Sequence, residues 1–292
     1  MTIATDYLQL MQSIGAKLEI PPVSQIHIAA YEKDPIKNSK FGALVLADGT
    51  VGLTYTGLGD DLLVLQDRNL YKSYLGESPV QMASLYTRRE GWCRALGMAA
   101  INAISQYLFT RAGYSLPKGE KTVAHLQLEQ NDHVGMVGYF PPLVEQLREM
   151  DLPLTVIELD EQWLQNDDQF EVTLKPEKLS DCNKIICTGT VLVNQTIDDL
   201  LPHFGNAEQV FIVGPTVGCL PDPLFDRGIT QLGGSRVADQ ELFLRLWKAQ
   251  ERWRDSTRRY VLSRGSDYPG YGHILKSAAE IIVGPRANTC RG

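Results

Sequence analysis

Four short apolar runs, rich in β-branched residues and separated by stretches of helical spacing, constrain this chain more than any other feature. They are HVGMVGYF, LPLTVIELD, NKIICTGTVL and EQVFIVGPT, all between His133 and Thr216. The first is followed by PPLVEQLREM, whose two prolines stand where a helix start tolerates a missing N–H. IDDLLPHF, between the last two, is a short helical segment. Apolar runs that alternate with helices predict a parallel sheet with helices on both faces. In such a sheet ligands sit beyond the carboxyl ends of the strands. Function is therefore sought in the loops GYFPP, ELDEQ, TGTVLVNQT and GPTVGCLPDP.

The part before this sheet has another rhythm. Leu8, Met11, Ile14 and Leu18 give residues 5–18 the three-and-four spacing of an amphipathic helix. SQIHIAAY alternates as a strand, and FGALVLADGTVGLTYT reads as two strands joined at Asp48-Gly49, a dipeptide suited to a hairpin turn. Cys93 to Phe109 is alanine-rich and apolar on nearly every face, as a helix buried on several sides must be. The periodic signal fades between Arg111 and Asp132, which sets the expected cut: an α+β module over 1–124 and the wound sheet over 125–292 with a C-terminal helical extension. A chain of 292 residues accommodates two such cores.

Charge and cysteine usage exclude several classes of function. A net charge of -7 argues against a general phosphate-backbone binder, so no nucleic-acid partner is expected. No apolar run approaches the length of a membrane span and no signal-peptide pattern opens the chain; the expectation is a cytoplasmic protein with no membrane partner. The five cysteines, Cys93, Cys182, Cys187, Cys219 and Cys290, are too scattered for a disulfide framework and are read as free thiols.

Each loop offers candidates. Gly135 is placed inside the first strand of the wound sheet and Gly138 at its end, where backbone bends or approaches a ligand. The spacing is G-x-x-G, and Tyr139, Phe140 and two prolines occupy the space that pyrophosphate would need. Tyr139 and Phe140 either wall a small planar ligand or pack beneath the following helix. Glu158 and Asp160 end the next run, where an acid can meet a ribose hydroxyl or simply cap a turn. Thr188, Thr190, Asn194 and Thr196 cluster in the third loop, with Thr196 placed as an N-cap; together they form a neutral surface suited to carboxylate or phosphate.

Gly214, Pro215 and Thr216 close the fourth run with a bend and a hydroxyl, and Gly233-Gly234 reads as a further bend before a helix start at Asp239. Asn102 sits within a buried helix where its amide needs partners. Cys187 and Cys219 are the soft-metal candidates, near consecutive strand ends, with His125 and His133 as further imidazoles, although buried cysteine also serves as a small hydrophobe. Residues 245–265 hold seven basic residues against two acidic ones, read as a solvated helix face that can also meet an acidic partner or a second subunit of a homodimer.

LGMAAINA, VGMVGYFPPL, TGTVLVNQT, VGPT with LPDPLFDRGI, and LGGSRVAD together resemble the two-part putative heavy-metal chelation family. The resemblance implies an N-terminal module similar to that of enolase, a Rossmann-like domain after it, and a site between them. Three functions stand as expectations. The first is a small-ligand protein handling a heavy metal or a metal-binding anionic metabolite, with a transition metal as its cofactor. The second is a transferase using a nucleoside cofactor such as S-adenosylmethionine, with Glu158 on the ribose. The third is a non-catalytic accessory protein in metallocofactor assembly.

Overall fold

The computed structural model describes residues 1–31, 40–120, 122–266 and 268–280. Helix α1 (Ile3–Gly15) is followed by strands β1 (Val23–Ile28), β2 (Phe41–Leu46) and β3 (Val51–Tyr55), short helices α2 (Asp61–Val64) and α3 (Pro79–Ala83), and the long α4 (Gly91–Arg111). Next come α5 (Thr122–Leu126), β4 (Val134–Val137), α6 (Pro141–Glu149), β5 (Leu154–Ile157), β6 (Gln165–Asn166) and β7 (Phe170–Thr173). The remainder is β8 (Lys184–Thr188), α7 (Thr190–Val193), α8 (Ile197–Leu200), β9 (Gln209–Val213), α9 (Asp222–Phe225), β10 (Gln231–Val237), α10 (Gln240–Lys248), β11 (Thr257–Ser263) and α11 (Tyr271–Glu280).

By contact, these elements form two compact units whose described residues are not contiguous in sequence. One contains 1–4, 117–217 and 223–266; the other contains 5–116, 218–222 and 268–280. A single cut at 124/125 does not express this, because a loop and the last helix belong with the N-terminal unit.

The N-terminal unit is built on an antiparallel meander, β1-β2-β3. Asp48-Gly49 makes the expected hairpin: Gly49 has φ +91°, and the Asp48 carboxylate accepts from the Thr50 amide and hydroxyl. Helix α4 is buried along most of its length. It approaches β3 so closely that a Cβ on Gly52 would lie 2.1 Å from the Ala99 carbonyl oxygen. Alanines on one element and glycine on the other let helix and sheet backbones meet, which explains the absence of a polar helix face.

The second unit holds an eight-stranded sheet in the order β11-β10-β9-β8-β4-β5-β7-β6. Strands β7, β5, β4, β8, β9 and β10 are parallel neighbours, while β6 and β11 pair antiparallel at the two edges. Read in chain order, the parallel set runs 3-2-1-4-5-6, the order of dinucleotide-binding sheets, with its switch point between β4 and β8. The core includes Met136, Val156, Val172, Ile186 and Phe211.

Three local expectations are corrected. Gly233 and Gly234 lie inside β10, not at a bend: a Cβ on the first would meet the Phe211 ring at 2.9 Å, and one on the second would meet the Val217 carbonyl at 2.1 Å. Glycine pairs resemble turns in sequence, but here they admit close neighbours. Asp239 does cap α10, accepting from the Leu242 amide. The basic stretch 245–265 is not one helix face, since α10 stops at Lys248 and β11 begins at Thr257. Finally, Thr196 precedes α8 but makes no side-chain cap; its amide and hydroxyl both donate to Asn194 Oδ1, which holds it in a local turn.

Candidate functional site

The carboxyl ends of β5, β4, β8 and β9 are adjacent and form one rim. At the end of β4, Gly138 has φ +86°, and its amide donates to the Ile157 carbonyl. A Cβ there would lie 3.1 Å from Thr188 Cγ2, so glycine is needed for both conformation and space. The next amide, of Tyr139, donates to Glu158 Oε1, while Glu158 Oε2 accepts from Leu159. Helix α6 then starts with Pro141 and Pro142, which have no N–H. Tyr139 stacks on Trp163, ring centroids 5.0 Å apart and planes at 22°. It also packs with Phe140 against the core of this unit, and the Trp163 indole on which it stacks is partly exposed.

Beyond the switch point the chemistry is neutral. The Thr188 hydroxyl donates to that of Thr190 at 3.1 Å and accepts from the Thr190 amide. Gly189 donates to the Val213 carbonyl, and its missing side chain leaves room for Val217 and Thr216. Gly214 has φ +140° and faces open space, with only the Gly189 nitrogen near a built Cβ, at 3.7 Å. Pro215 is half-buried after it and Thr216 is buried.

Gly138, Tyr139, Glu158, Thr188, Thr190, Gly214, Pro215 and Thr216 thus share the rim. Asn194 and Thr196 follow α7 and bond to each other. Asn102 belongs to the other unit, where its amide donates to the Leu53 carbonyl at 2.7 Å and packs under Gly218. Trp163 was not anticipated; a tryptophan inside the acidic loop ELDEQWLQNDD was the available signal.

The four described cysteines are all buried. Cys187 is fully buried within β8, and burial pushes its thiol well up. Cys219 lies in the other unit, accepts from the Tyr7 hydroxyl at 3.0 Å, and is pushed up by burial to about 12. His125 accepts from the Glu120 amide, and His133 pairs with the Thr155 hydroxyl. Among the described residues no three His, Cys, Asp or Glu side chains are grouped as a metal centre requires. These donors do not fit a resident heavy metal held by the described protein alone. Cys290 lies outside the described residues.

Residues 121–262 match the family model described as "Putative heavy-metal chelation", DUF364. This part of the chain is similar to that family. An uncharacterised protein of Methanocaldococcus jannaschii is 29% identical over 206 residues, covering 68% of this chain and 74% of its own. Two solved DUF364 proteins of unknown function share the fold. The one from Pyrococcus horikoshii has a TM-score of 0.63 at 18% identity, covering 90% of this chain and 100% of its own. The one from Desulfitobacterium hafniense has 0.65 at 19%, covering 89% and 99%. The DUF364 match spans the whole rim, from Gly138 to Thr216. No described helix is long and apolar enough to cross a membrane.

Proposed function

We propose that this chain is a small-ligand protein that handles a heavy metal as the complex of an anionic organic metabolite, received over the rim of β4, β8 and β9. The observation that carries this reading is the backbone along this rim. Gly138 and Gly214 both adopt positive φ, and nothing but backbone lies near a side chain built on Gly214. Beside them, Thr188 and Thr190 supply hydroxyls without the charge that would compete for a metal. An organic carrier, not protein thiolate, then coordinates the ion, in keeping with buried cysteines whose thiols are pushed up.

The test is thermal unfolding of the purified chain with zinc alone, citrate alone and zinc citrate. Saturation at a hundredfold excess over Kd stabilises by about 2.7 kcal/mol. The expected result is a rise in Tm with citrate or its zinc complex, diminished in Gly214→Val. Stoichiometric uptake of bare zinc with no response to the organic anion would overturn it.

A second reading, a nucleoside-cofactor transferase, is favoured by Glu158 standing at the end of the strand next to β4. S-adenosylmethionine would then raise Tm and fail to do so in Glu158→Ala. An accessory role in metallocofactor assembly would instead be supported by co-purification with an apo-enzyme.

A further inference from the structure

The two edges of the eight-stranded sheet carry opposite charge. At the β6 edge, residues 158–171 include six carboxylates, those of Glu158, Asp160, Glu161, Asp167, Asp168 and Glu171, and no lysine or arginine; 159–169 are all exposed. Apolar groups are exposed among them: Leu159 at 77%, Trp163 at 44% and Leu164 at 48%. At the β11 edge, Lys248, Arg252, Arg254, Arg258 and Arg259 are all exposed, and among the described residues none of them enters an ion pair.

Eight strands at a spacing of about 4.8 Å put these edges roughly 34 Å apart. The Debye length at physiological salt is about 8 Å, so the two edges cannot neutralise each other within one molecule. Segregation on this scale does little for the fold and is suited to association.

The acidic edge also has a socket. Arg148, Asp151, Leu152, Asp167, Asp168, Gln169 and Phe170 line a surface recess of about 270 Å³. Arg148 already shows the chemistry that the recess accepts: its guanidinium lies 4.7 Å from the Phe170 ring centroid and bonds Asp167 at 3.0 Å. Asp151 and Asp168 extend the same wall and are exposed. A second guanidinium, with an aliphatic stem to lay against Leu152, matches this lining.

We propose that copies of this chain associate head to tail, the β11 edge of one, through Arg258 and Arg259, meeting the acidic recess at the β6 edge of the next. The occupant is a second copy because the complementary surface is on the same chain, and the net charge of -7 disfavours a polyanion at the basic edge. Contact between unlike surfaces is heterologous, so assembly proceeds to a ring or an open chain.

Sedimentation velocity tests this through two variants, Arg258→Glu/Arg259→Glu and Asp168→Lys, each first checked for an unchanged melting curve. The wild type is expected to associate with rising concentration at about 50 mM salt and to dissociate at about 500 mM. Each variant alone should remain monomeric. Mixed, the arginine variant's intact acidic edge should receive the Asp168→Lys variant's intact basic edge, so that association returns. A monomeric wild type at low salt, association that survives either variant, or a polyanion such as heparin bound at the basic edge without self-association would each overturn the proposal. None of these outcomes depends on a ligand at the rim.

Discussion

The Tyr139 amide donates to the Glu158 carboxylate, so a side chain fastens the end of β5 to the end of β4. In a sheet of this strand order, that turn is where phosphate would meet free N–H groups. Here the chain supplies its own anion. Glu158→Ala should therefore lower stability by about 1–3 kcal/mol, the usual loss for a hydrogen bond to a charged group. Glu158→Gln, which keeps an acceptor oxygen, should lose less. Urea unfolding measures both. An alanine variant as stable as wild type would show that the carboxylate is not a structural tie and is open to a ligand.

Glycine positions separate conformational strain from collision. Gly138→Ala must hold a side chain at φ +86° and push Thr188, at an expected cost of about 1–2 kcal/mol for the backbone alone. Gly52→Ala has no such latitude, because its methyl would fall 2.1 Å from one α4 backbone atom and 2.4 Å from another. That chain should not accumulate as folded protein; soluble expression and circular dichroism distinguish the two cases.

The thiols predict both labelling and alkaline behaviour. Burial pushes Cys93 to about 11 and Cys182 and Cys219 to about 12, from an ordinary value of 9.0. The folded state then keeps protons that the unfolded state has lost. Their contribution is fully present below about 9 and declines as pH rises from 9 to about 12. In a Cys290→Ser chain, a thiol reagent at neutral pH should react only as fast as the protein opens. Rapid labelling of Cys187 or Cys219 in the native state would contradict this.

Asp222 anchors the last helix. Its carboxylate accepts from the Tyr268 hydroxyl at 2.6 Å and from the Tyr271 amide at the start of α11 at 2.9 Å. Asp222→Ala should cost about 1–3 kcal/mol and make α11 the first segment cut in limited proteolysis. Mass spectrometry of the fragments would read this directly, and cleavage starting elsewhere would show that α11 is held chiefly by apolar contact with α4.

The wound sheet was legible because Val134–Val137, Leu154–Ile157, Lys184–Thr188 and Gln209–Val213 are buried throughout or nearly so, and burial on both faces leaves an uninterrupted apolar run. Strand β7, FEVT, was not, because its short alternating pattern is shared with exposed loops. Strand β10 was hidden by Gly233 and Gly234, whose signal is the bulk of Phe211 and Tyr260 rather than anything local. At the rim, residue types marked the strand ends correctly, but the pairing of Glu158 with Tyr139 depends on neighbouring β4 and β5. Nothing in residues 218–222 announced that they would pack with α1 and α4 instead of with the strands on either side.

That five-residue segment has a consequence for synthesis. Gly218 accepts from Gln106, the Leu220 amide donates to Ser105, and Tyr7 reaches both Cys219 and Leu220. The N-terminal unit has most of its own chain once residue 116 has left the ribosome, yet these partners for α1 and α4 emerge about a hundred residues later, and the last helix later still. At about 5–20 residues per second, that leaves roughly 5–20 s in which buried polar groups of α4 await their native partners. The early unit therefore cannot complete its native packing until residues 218–222, which lie within the span of the wound sheet, have been made.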